Sequence, residues 1–495
     1  MSSSKKNYIG ILKGTAVFGG VQVFNVFVNL IRGKLIALIL GTSGMGISSL
    51  LFGCSSTIQQ ISSLGLNTSA MKEISGSHEL DDKQHLSYIV CVFRQLVIFF
   101  AFLGLLLTLV FKRQLCVFTF GDDSYTWYFI VLSFVVFVNL LANAETTILQ
   151  GTREYKKIAY SSIVGSMCGL FVGIPLYYFW GNNGIVISML CLALALFLFN
   201  RNSTSKLRLY RVPITLRDLW TSGRTMVSLG GVLVLGSVIG TATNYGLNAF
   251  MRFFGTIDDV GLFQAANSIT NQYTGMVFAA MAADYFPRLA GSIDKSTRDI
   301  RQMVSEEAEI VTLIISPIAI LIIMTAPFII RVLLSSEFLA IVDIVRYMGY
   351  MVIFKALCFP LGYVGILKNN KTFYFWTECI WVNLKTFMVF SLFYYIMGLN
   401  GLGYAALTSS ILDIAVVVPL YKYYFGITFT TNSFILIFKQ LFLASIVLAI
   451  SLNIHNYWGV LLNIFLLLVC LFIVYKELDK RAGIMQLIKT KLKVK

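Results

Sequence analysis

Charged residues are scarce in this chain of 495 residues, where they occupy only 13% of the positions. Soluble proteins carry about twice that share of charge, which helps to cover their water-facing surface. The low fraction therefore excludes a chain of soluble globular domains. It also excludes a disordered chain and a coiled coil, because both are rich in charged and polar residues.

Proline and paired cysteine are rare as well. Seven prolines are too few for a Pro-rich linker, and the eight cysteines include no C-x-x-C pair, so neither a zinc site nor a redox pair is indicated. The P-loop motif G-x-x-x-x-G-K-[ST] does not occur, so the sequence gives no sign of ATP binding through a P-loop. We expect no cofactor and no metal site.

Long apolar runs are the dominant feature of the sequence. Hydrophobic residues make up 57% of the chain and the mean hydropathy is +0.79. A transmembrane helix needs ~20 mostly apolar residues, and such runs recur with only short loops between them. The sequence therefore predicts an all-α polytopic membrane protein with about 14 transmembrane helices. The predicted spans are 15–40, 44–70, 88–111, 125–149, 159–180, 183–200, 225–250, 260–286, 306–330, 341–366, 373–396, 401–424, 434–453 and 457–475.

Lysine and arginine are distributed unevenly among the loops. Positive charges of membrane proteins collect in cytoplasmic loops. With the N-terminus placed in the cytoplasm, the outer loops hold only Lys112, Arg113, Arg252 and Arg331. We therefore predict that both termini lie in the cytoplasm, which requires an even number of spans. The net charge of +16 is explained by this asymmetry and does not indicate nucleic-acid binding.

A short motif of the form YYxxGxNG occurs twice, at 177–184 and at 394–401. A weaker similarity relates 41–46 to 255–261 at nearly the same offset, about 215 positions. Both pairs indicate an internal duplication; the alternative is convergent use of Gly and Asn in turns. The two copies would be parallel repeats, which place a substrate path at their interface.

The duplication predicts a division of the chain into four parts. Two six-helix bundles are expected at 1–205 and 206–424, helices 13 and 14 at 425–476, and a basic cytoplasmic tail at 477–495.

Several local strings follow one another along the chain: LGTSGMG at 40–46, LQG with YKK at 149–157, VGLFQAAN at 260–267 and DYFPRLA at 284–290. Their order and spacing resemble the multidrug/oligosaccharidyl-lipid/polysaccharide exporter superfamily. Within the superfamily the chain looks most like the polysaccharide-repeat (O-antigen, Wzx-type) flippases. These proteins translocate undecaprenyl-diphosphate-linked oligosaccharide across the bacterial inner membrane by alternating access. The resemblance implies an O-antigen or capsular repeat unit as substrate, lipopolysaccharide or capsule synthesis as its context, and the polymerase and chain-length machinery as partners.

Charged side chains inside the predicted spans are the first candidates for the substrate site. Lys355, Lys385 and Asp413 lie deepest, and a charge at the bilayer centre usually faces a partner or a wet cavity. The functional interpretation is a cationic cavity for the diphosphate, since lysine binds phosphate as a point charge. The alternative is a structural pair of Lys385 with Asp413 or Glu378, and these two acids are also candidates for ion coupling.

Asparagines with helical spacing form the second group of candidates. Asn25, Asn29 and Arg32 share one face of span 1, and Asn244 with Asn248 repeats this spacing in span 7. They would form a polar wall of the path, or alternatively interhelical hydrogen bonds within the packing. The predicted substrate-binding residues are Arg32, Arg94, Lys355, Lys385, Asn25, Asn29, Asn244, Asn248 and Asn271.

Three other functions compete with this one. A cation-coupled drug exporter commonly needs an acidic residue in its N-terminal half, and spans 1, 2, 3, 5 and 6 have none in their interior. The lipid II flippases have a Phe-rich Pro-Asn pattern after the first helix, and this chain lacks that pattern. A membrane glycan polymerase, ligase or transferase needs a sizeable outer loop, whereas the longest hydrophilic stretches, 200–224 and 288–306, are predicted to be cytoplasmic. We therefore expect a transporter and not an enzyme.

Overall fold

The computed structural model describes residues 24–79, 82–207, 209–210, 212–292, 296–368, 370–454 and 456–482, and these are helical with no β-strand among them. Each of the fourteen predicted spans overlaps one or more helices in these residues. The prediction of an all-α polytopic membrane protein is confirmed. The start of span 1 and most of the predicted basic tail, 483–495, lie outside the described residues.

The first eight helices cover the N-terminal part of the described chain. They are α1 at 24–39, α2 Gly41–Ser63, α3 Leu66–Glu79, α4 Lys83–Val110, α5 Lys112–Phe120, α6 Thr126–Gly151, α7 Tyr155–Trp180 and α8 Asn183–Ser205. Asp82 caps the start of helix α4, because its side chain accepts hydrogen bonds from the backbone amides of Gln84 and His85.

Nine further α-helices follow. They are α9 Leu216–Phe254, α10 Ile257–Ala290, α11 Thr297–Leu333, α12 Val342–Leu367, α13 Lys371–Tyr374, α14 Val382–Met397, α15 Gly401–Phe425, α16 Thr431–Asn453 and α17 Tyr457–Ala482. A π-helical segment, Phe375–Trp381, joins α13 to α14, and short 3₁₀ turns occupy Ser336–Ile341 and Gly398–Asn400.

By length and composition, nine segments among the described residues are apolar enough to cross a membrane, and one of them, Thr372–Phe425, contains two helices. Helices α2 and α10 are not among these nine segments. They are the helices rich in Gly, Ser, Thr and Asn, a composition that allows close packing and hydrogen bonding between helices in a membrane.

The structure corrects the second predicted span. The expected continuous helix 44–70 is interrupted at Leu64 and Gly65, which adopt left-handed conformations with φ of 44° and 69°. A new helix, α3, starts at Leu66. The span was predicted from hydropathy averaged over about 20 residues, and such an average does not reveal a break at two residues.

The chain divides into two compact units, Met1–Gly261 and Leu262–Lys495. In the first unit, a core cluster packs α3, α4 and α6 together around buried residues such as Phe93 and Ile148. In the second, α11, α12, α15, α16 and α17 enclose a larger core that includes Ile320, Ile353 and Tyr421. This division follows spatial proximity, and the repeat-based bundles 1–205 and 206–424 stay a prediction.

The two YYxxGxNG segments adopt the same turn. Gly181 ends α7 with φ 56° and ψ −136°, and Gly398 ends α14 with φ 60° and ψ −146°. The second glycine of each motif packs on the preceding helix, since a Cβ on Gly184 or Gly401 would lie 2.2 Å from a backbone carbonyl oxygen. The shared geometry requires glycine at these positions and supports the predicted duplication.

Candidate functional site

A cavity of about 440 Å³ lies within the second unit, lined by α10, α12, the π-helical segment and α15. Its polar lining consists of Lys355, Glu378, Ser410 and Asp413, and the rest is mainly aromatic and aliphatic. Mostly apolar cavities with a few placed polar groups are the usual form of a small-molecule site. Two of the residues predicted from their depth in the spans, Lys355 and Asp413, therefore come together here with Glu378, which was predicted as a pairing or ion-coupling candidate.

Lys355 presents its ammonium group to this cavity. It lies midway along α12 and its side chain is exposed to the cavity space. It makes no hydrogen bond or ion pair with any other residue that the structure describes, although Asp413 and Lys385 are near enough to act on it electrostatically. A cation held in this way is available to an anionic ligand.

Lys385 is buried behind the cavity and is paired. Its Nζ lies 2.5 Å from Oδ2 of Asp413 and donates a hydrogen bond of 3.0 Å to the carbonyl oxygen of Ser409. The side chain of Lys385 is only 3% exposed. This arrangement matches the structural alternative for Lys385, which links α14 to α15. Oδ1 of Asp413 is buried and has no hydrogen-bond partner among the described residues.

The π-helical segment carries Glu378 into the cavity wall. The hydroxyl of Tyr421 donates a hydrogen bond of 3.3 Å to Oε1 of Glu378. Gly362 of α12 lies opposite, and a Cβ there would be in ordinary contact with the carboxyl carbon of Glu378, at 3.6 Å. Single π-helical turns are often found at functional sites, and periodicity reasoning did not predict this one.

In the first unit, Arg94 is bound to a carboxylate that sequence reasoning did not select. Glu145 on α6 accepts hydrogen bonds from Nε and Nη2 of Arg94 at 2.9 and 2.7 Å, from Arg201 at 2.9 Å and from Thr204 at 2.5 Å. The carboxylate is buried, and its four bonds join α4, α6 and α8. The signal for it was a glutamate inside an apolar span, which in a membrane calls for a partner.

Asn25 and Arg32 also have partners in the first unit. Asn25 donates to Ser162 at 2.8 Å and accepts from Ser166 at 3.0 Å, so it joins α1 to α7. Arg32 Nε donates a 3.3 Å hydrogen bond to the hydroxyl of Tyr177, the first tyrosine of the repeat motif. Asn29 is exposed.

The remaining asparagines bond chiefly along their own helices. Asn248 Nδ2 reaches Asn244 at 3.4 Å and Ser49 of α2 at 3.3 Å. On α10, Asn271 donates to Asn267. Asparagines four residues apart therefore form hydrogen bonds with each other on the same helix. A role of these residues in substrate binding stays a prediction.

Comparison with known proteins gives a consistent family. A family model described as polysaccharide biosynthesis protein matches residues 35–343, which is more than half of the chain. The lipid III flippases of Escherichia coli K12 and Shigella flexneri are each 22% identical to it over 363 residues, covering 70% of this chain and 83% of the relatives.

Solved structures show the same fold. The lipid II flippase MurJ in an inward closed conformation superposes with a TM-score of 0.68 at 13% identity, covering 95% of this chain and 99% of that one. An inward-facing multidrug resistance MATE family transporter of the MOP superfamily gives 0.59 at 16% identity, covering 81% and 96%. The chain thus has the fold that the sequence resemblance predicted, and it belongs to the polysaccharide biosynthesis protein family of multi-pass membrane proteins.

Proposed function

We propose that this protein is a flippase for undecaprenyl-diphosphate-linked oligosaccharide, and that it is a transporter and not an enzyme. The fold alone does not separate this function from drug export, because flippases and drug transporters share it. The family match and the lipid III flippases among its relatives favour a lipid-linked glycan. The substrate would be an O-antigen or capsular repeat unit, moved across the bacterial inner membrane with both termini of the protein in the cytoplasm.

The observation that carries the proposal is the ammonium group of Lys355, which lies in the cavity and is unpaired among the residues that the structure describes. A diphosphate cannot enter hydrocarbon unaided, because its charges would lose their hydration. Because Lys355 has no partner among the described residues, it offers compensating charge at membrane depth, while the nearby Lys385 is already engaged by Asp413. Such a cation, in place of a dense cluster, binds the substrate without holding it so tightly that release becomes slow. Alternating access by rocking of two bundles would open the path to each side in turn.

Complementation tests the role of Lys355. In a strain that lacks its own flippase for the same glycan, Lys355→Ala should strongly reduce surface glycan at an unchanged amount of protein in the membrane, and Lys355→Arg should retain part of the activity. The control is Lys422→Ala, which removes an exposed lysine near the end of α15. Full complementation by Lys355→Ala would exclude the proposed phosphate-binding role.

A further inference from the structure

The cavity has an aromatic wall that the binding of a diphosphate does not use. On α12, Lys355, Phe359 and Tyr363 follow one another at intervals of four residues, which places them on one face of the helix. The interval from Lys355 to Tyr363 corresponds to about 12 Å along the axis. The cavity therefore has a cationic end at Lys355 and an aromatic end toward the C-terminus of α12.

The rings of this wall support one another. The ring of Phe359 lies between those of Phe278 of α10 and Tyr363, with centroid separations of 5.2 and 5.3 Å. Tyr374 lines the cavity from α13. These four residues, Phe278, Phe359, Tyr363 and Tyr374, are called the aromatic wall below.

Acceptor groups line the same cavity beside the rings. Glu378 projects from the π-helical segment, Ser410 lies on α15, and Oδ1 of Asp413 is buried with no hydrogen-bond partner among the described residues. A carboxylate can accept more hydrogen bonds than the one that Tyr421 donates to Glu378, so a ligand that supplies hydroxyl groups would be stabilised here. An apolar polyprenyl chain would bring no donor to this carboxylate, which argues against it as the occupant of this wall.

A pyranose ring has the complementary chemistry. Its axial C–H bonds form a weakly positive face that suits the negative face of an aromatic ring, and its hydroxyl groups are donors for carboxylates. We propose that the aromatic wall binds the sugar attached to the diphosphate, with Glu378 accepting hydrogen bonds from its hydroxyls. This inference rests on the proposed function and names the part of the substrate that the wall recognises.

Two lipid probes that differ by one sugar test the inference. The full-length protein in lipid nanodiscs is titrated with undecaprenyl diphosphate and with undecaprenyl-diphosphate-N-acetylglucosamine, and Kd is measured for each. The wild type should prefer the glycosylated probe. Phe359→Leu and Tyr363→Leu keep apolar volume but remove the ring, and each should weaken binding of the glycosylated probe about 3–10-fold, with the bare diphosphate unaffected.

Two controls make the outcomes distinct. Phe438→Leu removes an exposed ring from α16 and should change neither Kd, while Lys355→Ala should weaken both probes. If the wild type does not distinguish the probes, or if the two leucine variants weaken both equally or neither, the wall does not bind sugar and the proposed flippase function is untouched. If the wild type binds neither probe, the proposed function fails, and the inference fails with it.

Discussion

Gly46 and Gly261 each pack against a backbone carbonyl group of the segment that contains the other glycine. A Cβ on Gly46 would lie 2.1 Å from the carbonyl oxygen of Ile257, and a Cβ on Gly261 would lie 2.0 Å from that of Thr42. Gly46 and Gly261 are 215 positions apart, and so are Thr42 and Ile257. When each residue of one contact is replaced by its equivalent in the other repeat, the result is the other contact. Such reciprocity is the mark of a two-fold relationship, and it supports the predicted duplication through contacts that only glycine permits.

The first prediction follows from this contact. Gly46→Ala should push the start of α2 away from the start of α10 and destabilise the protein by about 1–3 kcal/mol, as overpacking does. Gly53→Ala on the same helix is the matched control, because its Cβ would meet Tyr245 at an ordinary 3.4 Å. Thermal unfolding of the purified variants measures the difference. Equal Tm values for Gly46→Ala and Gly53→Ala would contradict the tight packing.

The second prediction concerns the buried pair of Lys385 and Asp413. Asp413→Asn should destabilise the protein by roughly 3 kcal/mol, because it leaves a buried ammonium group without its counter-charge. The double variant Lys385→Met/Asp413→Leu removes both charges and should recover much of that loss. Thermal unfolding of the wild type, Asp413→Asn and the double variant measures these differences. A double variant no more stable than Asp413→Asn would show that the pair is not primarily structural.

The third prediction concerns Arg94 and Glu145. Since Glu145 binds Arg94 and Arg201 together, we expect Arg94→Ala to reduce function through the stability of the first unit and not through lost diphosphate binding. Glu145→Ala, which leaves Arg94 without its carboxylate, should lower the amount of protein in the membrane at least as strongly. Immunoblots of membrane fractions measure the amount. A normal amount of Arg94→Ala protein without transport would instead assign Arg94 to the substrate.

The fourth prediction tests the orientation derived from the distribution of lysine and arginine. Cysteines introduced at the exposed positions Ser205 and Ser296 should not react with a membrane-impermeant maleimide in intact cells, whereas a cysteine at the exposed Ser124 should react. The native cysteines supply a background that the parent protein measures. After permeabilisation all three should react, which verifies that the sites are accessible. Labelling of Ser205→Cys or Ser296→Cys in intact cells would reverse the predicted topology.

Helix positions were predictable from the sequence because lipid imposes a simple rule. Every backbone polar group in hydrocarbon must be satisfied within the segment, so an apolar run of sufficient length becomes a helix. The predicted span 341–366 corresponds to α12, Val342–Leu367, and 401–424 corresponds to α15, Gly401–Phe425. The turns after α7 and α14 were also predictable from the sequence, since their glycines adopt conformations that other residues rarely adopt.

Interruptions within an apolar run were not predictable. The break at Leu64 and the π-helical turn at Phe375–Trp381 each alter the helical conformation over only a few residues. Hydropathy is averaged over about 20 residues, so it does not register either change. Yet the π-helical segment is the one that carries Glu378 into the cavity.

The sequence by itself determined which charges lie deep in the membrane, and it named Lys355, Lys385 and Asp413 from their positions along three spans. Only the tertiary structure decided their roles. In the folded protein Lys385 forms an ion pair with Asp413, Arg94 forms an ion pair with Glu145, and Lys355 lines a cavity. The reason is that depth depends on distance along a single helix, whereas pairing depends on the rotation of each helix about its axis and on the neighbour that packs against it.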